Sequence, residues 1–391
     1  MAKKTDLSRR DMLQAAAVAS FGTAILAGTP ARAQQAPKIQ VGKDPGQHEP
    51  IPTFRFNIES SSGSWNGEAG SAREATMEEF PVSPNIAGVS MRLKPGGIRE
   101  LHWHAVAAEW AFVIEGKVMG TVISPSGEPA TDIFMPGDLW YFPRGHGHAL
   151  QNVGQTDAHF ILGFDNGHFS EYGTFSITDW VARSSPDVVA KNLGLPRDVV
   201  SKLPTKEVYI IQGKIPPQIP ETYLGADLQE NQNPHKFSLA RAPLTQYPGG
   251  WIRHANQKEF PINTTLASAL EQLEPGAIRE LHWHPNADEW QYILQGRSRV
   301  TVFGAHGRTR TEECGAGDVV FVQQGFGHYV ESIGREPLRF FALFNTPTFE
   351  EISITSWLAG NPASLIADNF NIASSEVAKM PKRALGVISR T

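Results

Sequence analysis

The sequence predicts an all-β protein built from two tandem antiparallel jelly-roll β-barrels, each followed by a short helical segment. Three observations carry that expectation. The chain repeats itself at an offset of 180 residues, its apolar stretches are short, and turn formers are frequent, with 36 Gly and 28 Pro in 391 residues. Many short strands separated by Gly/Pro turns favour barrels and sandwiches over long helices.

The repeat is direct. Leu93-Lys94-Pro95-Gly96-Gly97-Ile98-Arg99-Glu100-Leu101-His102-Trp103-His104 recurs as Leu273-Glu274-Pro275-Gly276-Ala277-Ile278-Arg279-Glu280-Leu281-His282-Trp283-His284. The match continues ungapped through Glu109/Glu289, Gly116/Gly296, Gly137-Asp138/Gly317-Asp318, His148/His328 and Phe164/Phe344. Two copies of one domain follow. The register then slips by three, so that Trp180 meets Trp357 and Pro204 meets Pro381. The first copy therefore carries three extra residues between Phe164 and Trp180.

Within each copy the elements read in order. Phe112-Val113-Ile114 and Val118-Met119-Gly120-Thr121-Val122-Ile123 flank a hairpin turn at Glu115-Gly116-Lys117. Leu139-Trp140-Tyr141-Phe142 follows a Pro136-Gly137-Asp138 turn. Helical stretches are expected over 177–203 and 354–380. The expected organisation is an arm over 34–63, a first domain over 64–204, a Pro- and Gln-rich linker over 205–233 and a second domain over 234–391.

Residues 1–33 read as an export signal: Lys3, Lys4, Arg9 and Arg10, a mostly apolar run over 15–27, then the small-x-small site Ala31-Arg32-Ala33. Ser8-Arg9-Arg10-Asp11-Met12-Leu13 resembles a twin-arginine signal, which implies export of a folded protein to the periplasm or beyond. Folding first lets the metal be chosen in the cytoplasm, away from tighter-binding copper and zinc. The apolar run is too short for a stable membrane span. Removal of residues 1–33 takes away five basic and two acidic side chains and moves the formal charge from −5 to about −8. With that charge and no basic block beyond the N-terminus, nucleic acid is not an expected partner. Cys314 stands alone, which excludes an intrachain disulfide and any cysteine-rich zinc or iron–sulfur site. A metal must be held by His and carboxylate.

Each copy supplies such a set. His102, His104, Glu109 and His148 form one, and His282, His284, Glu289 and His328 the other. Residues i and i+2 of a strand share a face, so each His-x-His pair points into its barrel. The Glu enters from the next strand and the last His from a later one. Three imidazoles and one carboxylate leave two positions of an octahedral ion open. Mixed N/O ligation with vacancies suits manganese or iron and not a closed structural zinc. His146, His159 and His168 lack histidine mates in the repeat and are expected not to be ligands.

The spacing Pro-Gly-x(5)-His-x-His-x(4)-Glu-x(6)-Gly, followed by Gly-Asp-x(4)-Pro/Gln-x-Gly-x-x-His, resembles the two-part cupin motif, present in 95–148 and again in 275–328. With Arg-x-x-His-Trp-His in both copies, nearly all of the mature chain resembles the bicupin oxalate decarboxylases. The resemblance implies a manganese enzyme, two ions per chain, that converts the small dicarboxylate oxalate to formate and carbon dioxide with dioxygen as co-catalyst. It also implies a homo-oligomer, a trimer or a hexamer built from trimers. In that family the Arg before the His-x-His pair meets the substrate carboxylate, which points to Arg99 and, as its repeat mate, Arg279. A planar guanidinium fits a carboxylate bidentately; the alternative is a structural salt bridge to Glu100 or Glu280.

The family's general acid is a Glu on a loop reading Ser-Glu-Asn-Ser in the first domain. Here the loop reads Phe169-Ser170-Glu171-Tyr172-Gly173-Thr174, inside the extra segment of copy one, and Glu171 is the expected acid. Copy two has Thr346-Pro347-Thr348-Phe349-Glu350-Glu351 there, with its acids displaced. The first domain is thus the expected catalytic site and the second ion a structural or electron-transfer partner. Tyr172-Gly173 departs from Asn-Ser, which keeps open an oxalate oxidase releasing peroxide. A ring-cleaving iron dioxygenase and a non-enzymatic metal-binding bicupin are the remaining alternatives.

Overall fold

The computed structural model describes residues 49–169, 173–217 and 233–390. The expected export signal 1–33, arm residues 34–48, residues 170–172 with the expected acid Glu171, and 218–232 of the expected linker lie outside the described residues.

Each domain is a pair of antiparallel sheets closed around its own core. In the first domain the larger sheet runs Lys236–Ser238, Asp138–Phe142, Glu109–Glu115, Ala158–Phe164, Ala87–Leu93, Gly70–Ala75, Trp65–Gly67. The smaller runs Thr174–Ser176, Gly97–His104, His148–Asn152, Val118–Ile123, Pro129–Phe134. The second domain repeats this order, with Glu289–Gln295 central in its larger sheet and Ile278–Trp283 beside Gly327–Ser332 in its smaller one. The helical stretches break into Ile177–Arg183, Pro186–Leu193 and Arg197–Val200, then Ile354–Ala359, Ala363–Phe370 and Ser374–Val377. Ser176 and Ser353 cap the first helix of each set through their hydroxyls, in keeping with serine's preference for that position.

Three cores result. Two fill the barrels. The third lies between the domains, where the two larger sheets pack face to face around Trp110, Phe112, Tyr141, Trp290 and Phe341. Phe112 and Phe341 stack across this boundary at 5.0 Å. Gly88 makes room for the Trp290 ring, because a Cβ there would come within 2.1 Å of it.

The domain boundaries differ from the sequence expectation. Arg55–Asn57, from the arm, pairs with Asp318–Val322 of the second domain, and Lys236–Ser238 pairs with Asp138–Phe142 of the first. Each domain thus lends the other an edge strand, which covers an exposed row of backbone donors and acceptors. Part of the expected linker is also sheet: Ile210–Gln212 pairs with Gly97–His104, and Ile210 is buried in the first barrel. Proline and glutamine frequency concealed this short β-branched strand.

A polar clasp reinforces the shared core. Glu59 accepts from Ser90 at 2.5 Å, from Arg92 at 2.6 Å and from Tyr292 of the second domain at 3.0 Å, while His159 lies 2.9 Å from the Ser90 hydroxyl. Burial by itself raises the Glu59 carboxyl, but its bonds to His159 and Ser90 outweigh that and hold it well below the usual carboxylate range. The stability it supplies is therefore present above a pH of about 4.5 and is lost as acid protonates it. Glu59→Ala strands several buried donors, and a loss of about 3 kcal/mol in denaturant unfolding is expected.

Candidate metal centres

A β-bulge shapes each site. His148 pairs with His102, but Leu150 pairs with Arg99, so the strand Gly97–His104 carries one residue more than its partner between those points. The same irregularity separates Arg279 from His282 opposite Val330 and His328. A regular strand would send residues three apart to opposite faces. The bulge instead lets Arg99 join His102 and His104 inside the barrel, while Leu101 is turned out and 61% exposed. Trp103 faces outward between the histidines and stacks on Phe175 at 5.3 Å.

Glu109 opens its strand and His148 opens another, which brings both beside the His-x-His pair. One donor atom from each of His102, His104, Glu109 and His148 lies within 4.8 Å of the others, and the same holds for His282, His284, Glu289 and His328. Glu109 Oε2 is 3.0 Å from His104 Nε2 and 3.2 Å from His148 Nε2. Glu289 Oε2 is 3.1 Å from His284 Nε2 and 2.9 Å from His328 Nε2. Two donors bonded at about 2.1 Å in adjacent octahedral positions stand about 3 Å apart, so the separations fit a shared cation.

The outer nitrogens agree. Nδ1–H of His102 donates to the Glu100 carbonyl at 2.6 Å and that of His148 to the His146 carbonyl at 2.8 Å. In the second site His282, His284 and His328 donate to the carbonyls of Glu280, Glu350 and Phe326. His104 Nδ1 lies 2.9 Å from the Thr174 hydroxyl. Fixing the proton on Nδ1 turns the Nε2 lone pair toward the barrel axis, the arrangement a metal-binding imidazole requires. The buried His328 Nε2 faces Glu289 Oε2 at 2.9 Å, an arrangement that a cation shared by the two would complete. Trp140 donates to Glu109 Oε1 at 2.7 Å, and Gln291 to Glu289 Oε1 at 2.8 Å, which fixes each carboxylate.

Electrostatics keep His102, His104 and Glu109 of the first centre in ligating form. Burial first, then Arg99 and the two neighbouring histidines, hold the His102 imidazole well below its ordinary value. Burial likewise pushes His104 down to about 4, against the pull of Glu109. Burial alone would raise the Glu109 carboxyl, but His148 and His104 outweigh it and keep it ionised. Neutral His102 and His104 beside an ionised Glu109 need no deprotonation before a divalent ion binds.

Arg99 lies above the first cluster, in a cavity of about 190 Å³ that it lines with His102, His104, Glu109, Thr174 and Tyr209. Its guanidinium rests 3.9 Å over the Tyr209 ring, and Nη1 donates to the Tyr209 carbonyl at 3.3 Å. Glu100 is not its partner, because that side chain bonds Thr178 and the Tyr209 amide on the other face of the strand.

Comparison with known proteins places this architecture. The cupin family model matches residues 56–201 and 237–378. Oxalate decarboxylase OxdC of Bacillus subtilis is 38% identical over 343 residues, 88% of each chain, and a probable oxalate decarboxylase of Arthroderma benhamiae is 35% identical over 321 residues, 81% of this chain and 78% of that one. The chain belongs to the bicupin oxalate decarboxylase family. The Bacillus subtilis enzyme's crystal structure at pH 4.6 superposes with a TM-score of 0.81 at 39% identity, covering 88% of this bicupin and 89% of that chain. Mn(II) centres have been characterised in that enzyme.

The two sites of this bicupin are not equivalent. Arg279, expected as the second substrate-binding arginine, is engaged instead by carboxylates: Nε donates to Glu271 at 3.1 Å and Nη2 to Glu351. Glu280 is not its partner either, since it accepts from Ser353, Thr355 and the amides of Leu385 and Gly386. The difference traces to Glu271, whose mate in copy one is Met91, and to Glu351, whose mate is Thr174. Of the other histidines, His159 belongs to the Glu59 clasp and His146 Nδ1–H donates to the Arg144 carbonyl at 3.1 Å.

Sequence reasoning passed over Tyr209, which it assigned to the linker. Its backbone sits at φ 56°, a conformation that the repeat mate Gly386 adopts at φ 63° without a side chain. A tyrosine kept where its mate is glycine was the available signal.

Proposed function

We propose that this bicupin decarboxylates oxalate to formate and carbon dioxide at the first centre, with a manganese ion held by His102, His104, Glu109 and His148. The observation that carries the reading is the open edge of Arg99. Among the described residues neither its Nε nor its Nη2 has a hydrogen-bond partner, and the guanidinium lines the same cavity as the four donors. A guanidinium edge and a cation that each take one carboxylate group suit a compact dicarboxylate. The names of the relatives point to the same substrate.

The bound ion, with dioxygen as co-catalyst, would supply the redox and Lewis-acid chemistry that weakens the oxalate C–C bond. The chain's own residues do the rest. Arg99 orients the dianion and balances its charge. Val89, Leu150, Leu162 and Phe164 give the cavity apolar walls that limit water. Glu171 gives a proton to the carbon that loses carbon dioxide, so that the product leaves as formate rather than as a second carbon dioxide. The second ion, held by His282, His284, Glu289 and His328, serves structure or electron transfer.

Arg99→Ala is expected to lower kcat/KM for oxalate about 100-fold or more with ion content unchanged. Arg99→Lys restores little of it, because an ammonium lacks the fork. Unchanged kinetics in both variants would remove Arg99 from the site.

The same reading includes twin-arginine export to the periplasm, supported by Arg9 and Arg10 before the apolar run. Arg9→Lys with Arg10→Lys is expected to leave the precursor in the cytoplasm on cell fractionation, and normal export would contradict it. It also includes a homo-oligomer, supported by the exposed apolar side chains Leu101 and Trp180 and their mates Leu281 and Trp357. A monomer by light scattering would refute that part.

A further inference from the structure

The two arginines offer a comparison internal to the chain. A guanidinium grips a carboxylate through two N–H groups on one edge, either Nε with Nη2 or Nη1 with Nη2. Arg99 keeps the first of these edges open. Arg279 has neither. Its Nε is taken by Glu271 and its Nη2 by Glu351, so each edge already has a nitrogen engaged by an acid, and Nη1 is buried and unpartnered. A carboxylate arriving there would have to share Nη2 with Glu351, and its charge would meet two acids already seated on the guanidinium.

The charge balance acts in the same direction. Glu271 is 4% exposed and sits on Ala267–Leu273, where the first barrel places the uncharged Met91. With Glu289, the second centre gathers three carboxylates around one guanidinium and three imidazoles. The first centre also has further acids, because Glu74 and Glu207 line its cavity beside Tyr209. Glu207 acts on Arg99 as a through-space charge, whereas both acids of the second centre bond Arg279 directly. Burial pushes the Glu271 carboxyl up to about 7 even though Arg279 pulls it down.

We propose that Glu271, with Glu351, is a specificity determinant that lets the second centre hold its ion but denies it a carboxylate ligand, confining substrate binding to the first centre. This rests on the two-manganese reading above and not on oxalate being the substrate. Glu271 and Glu351 act on the substrate through Arg279 and are positioning residues.

The test uses full-length protein loaded with two manganese ions per chain, with acetate as the probe and the Mn(II) electron paramagnetic resonance signals as the readout. In the wild type one ion per chain is expected to respond to acetate. In the variant Glu271→Met with Glu351→Thr, which copies the first centre, both are expected to respond, the second with acetate affinity raised at least about tenfold. Glu271→Gln, which keeps shape and removes charge, serves as a second variant should the double change lose metal, and is expected to give a partial response. Two responding ions in the wild type would overturn the proposal. So would a second ion that stays silent in a variant retaining both ions. Failure of the substrate reading is separable: wild-type protein that does not consume oxalate while one ion still answers acetate refutes the oxalate assignment and leaves Glu271 in its role.

Discussion

Replacing Glu171 by alanine is expected to lower formate production at least about 100-fold while leaving two ions per chain, the usual scale for removing an acid–base group. The expectation rests on chemistry and on position. Loss of carbon dioxide from oxalate leaves a carbanion-like carbon that needs a proton from a group near, but not on, the ion. Glu171 lies in the three-residue excess that copy two lacks, between Phe169, which stacks on Phe164 at 3.6 Å beside His104, and Thr174, which holds His104 Nδ1. The chain on both sides of Glu171 is therefore anchored at the first centre. If the proton source is lost while the substrate still reacts, peroxide is expected to rise as formate falls. Near-normal formate from Glu171→Ala would exclude this residue from the proton step.

Glu109→Gln is expected to act more severely, removing about one of the two ions per chain by metal analysis and reducing oxalate consumption at least about 1,000-fold. The amide keeps the shape of the side chain but loses the only negative charge among the four donors of the first centre. It also presents an N–H₂ group to His104 and His148, whose nitrogens stand 3.0 and 3.2 Å from Oε2. Retention of two ions with full activity would show that this cluster is not the working centre.

Much of this organisation could be read from the chain because the two copies check each other. Strand residues alternate with period two, so the inward set His102 and His104 was predictable, and the repeat in copy two removed the ambiguity of an isolated His-x-His. The large features that stayed hidden depend on contacts between distant segments. The bulge that brings Arg99 inside arises from pairing with His148–Asn152, and nothing local in Ile98-Arg99-Glu100-Leu101 announces it. The exchange of Arg55–Asn57 and Lys236–Ser238 between domains joins strands over 260 and about 100 residues apart. The carboxylate partners of Arg279 stayed hidden for the same reason. Its repeat mate Arg99 sits in an identical local sequence, and only the fold reveals that Glu271 and Glu351, 8 and 72 residues away, reach its guanidinium.

The most direct measurement is turnover of oxalate by manganese-loaded protein with formate and hydrogen peroxide quantified together. About one formate per oxalate consumed, with peroxide at a few per cent or less, is the result expected if Arg99 presents the dianion and Glu171 protonates the product. Peroxide in near-stoichiometric amount without formate, or no consumption of oxalate by protein carrying two ions, would contradict it.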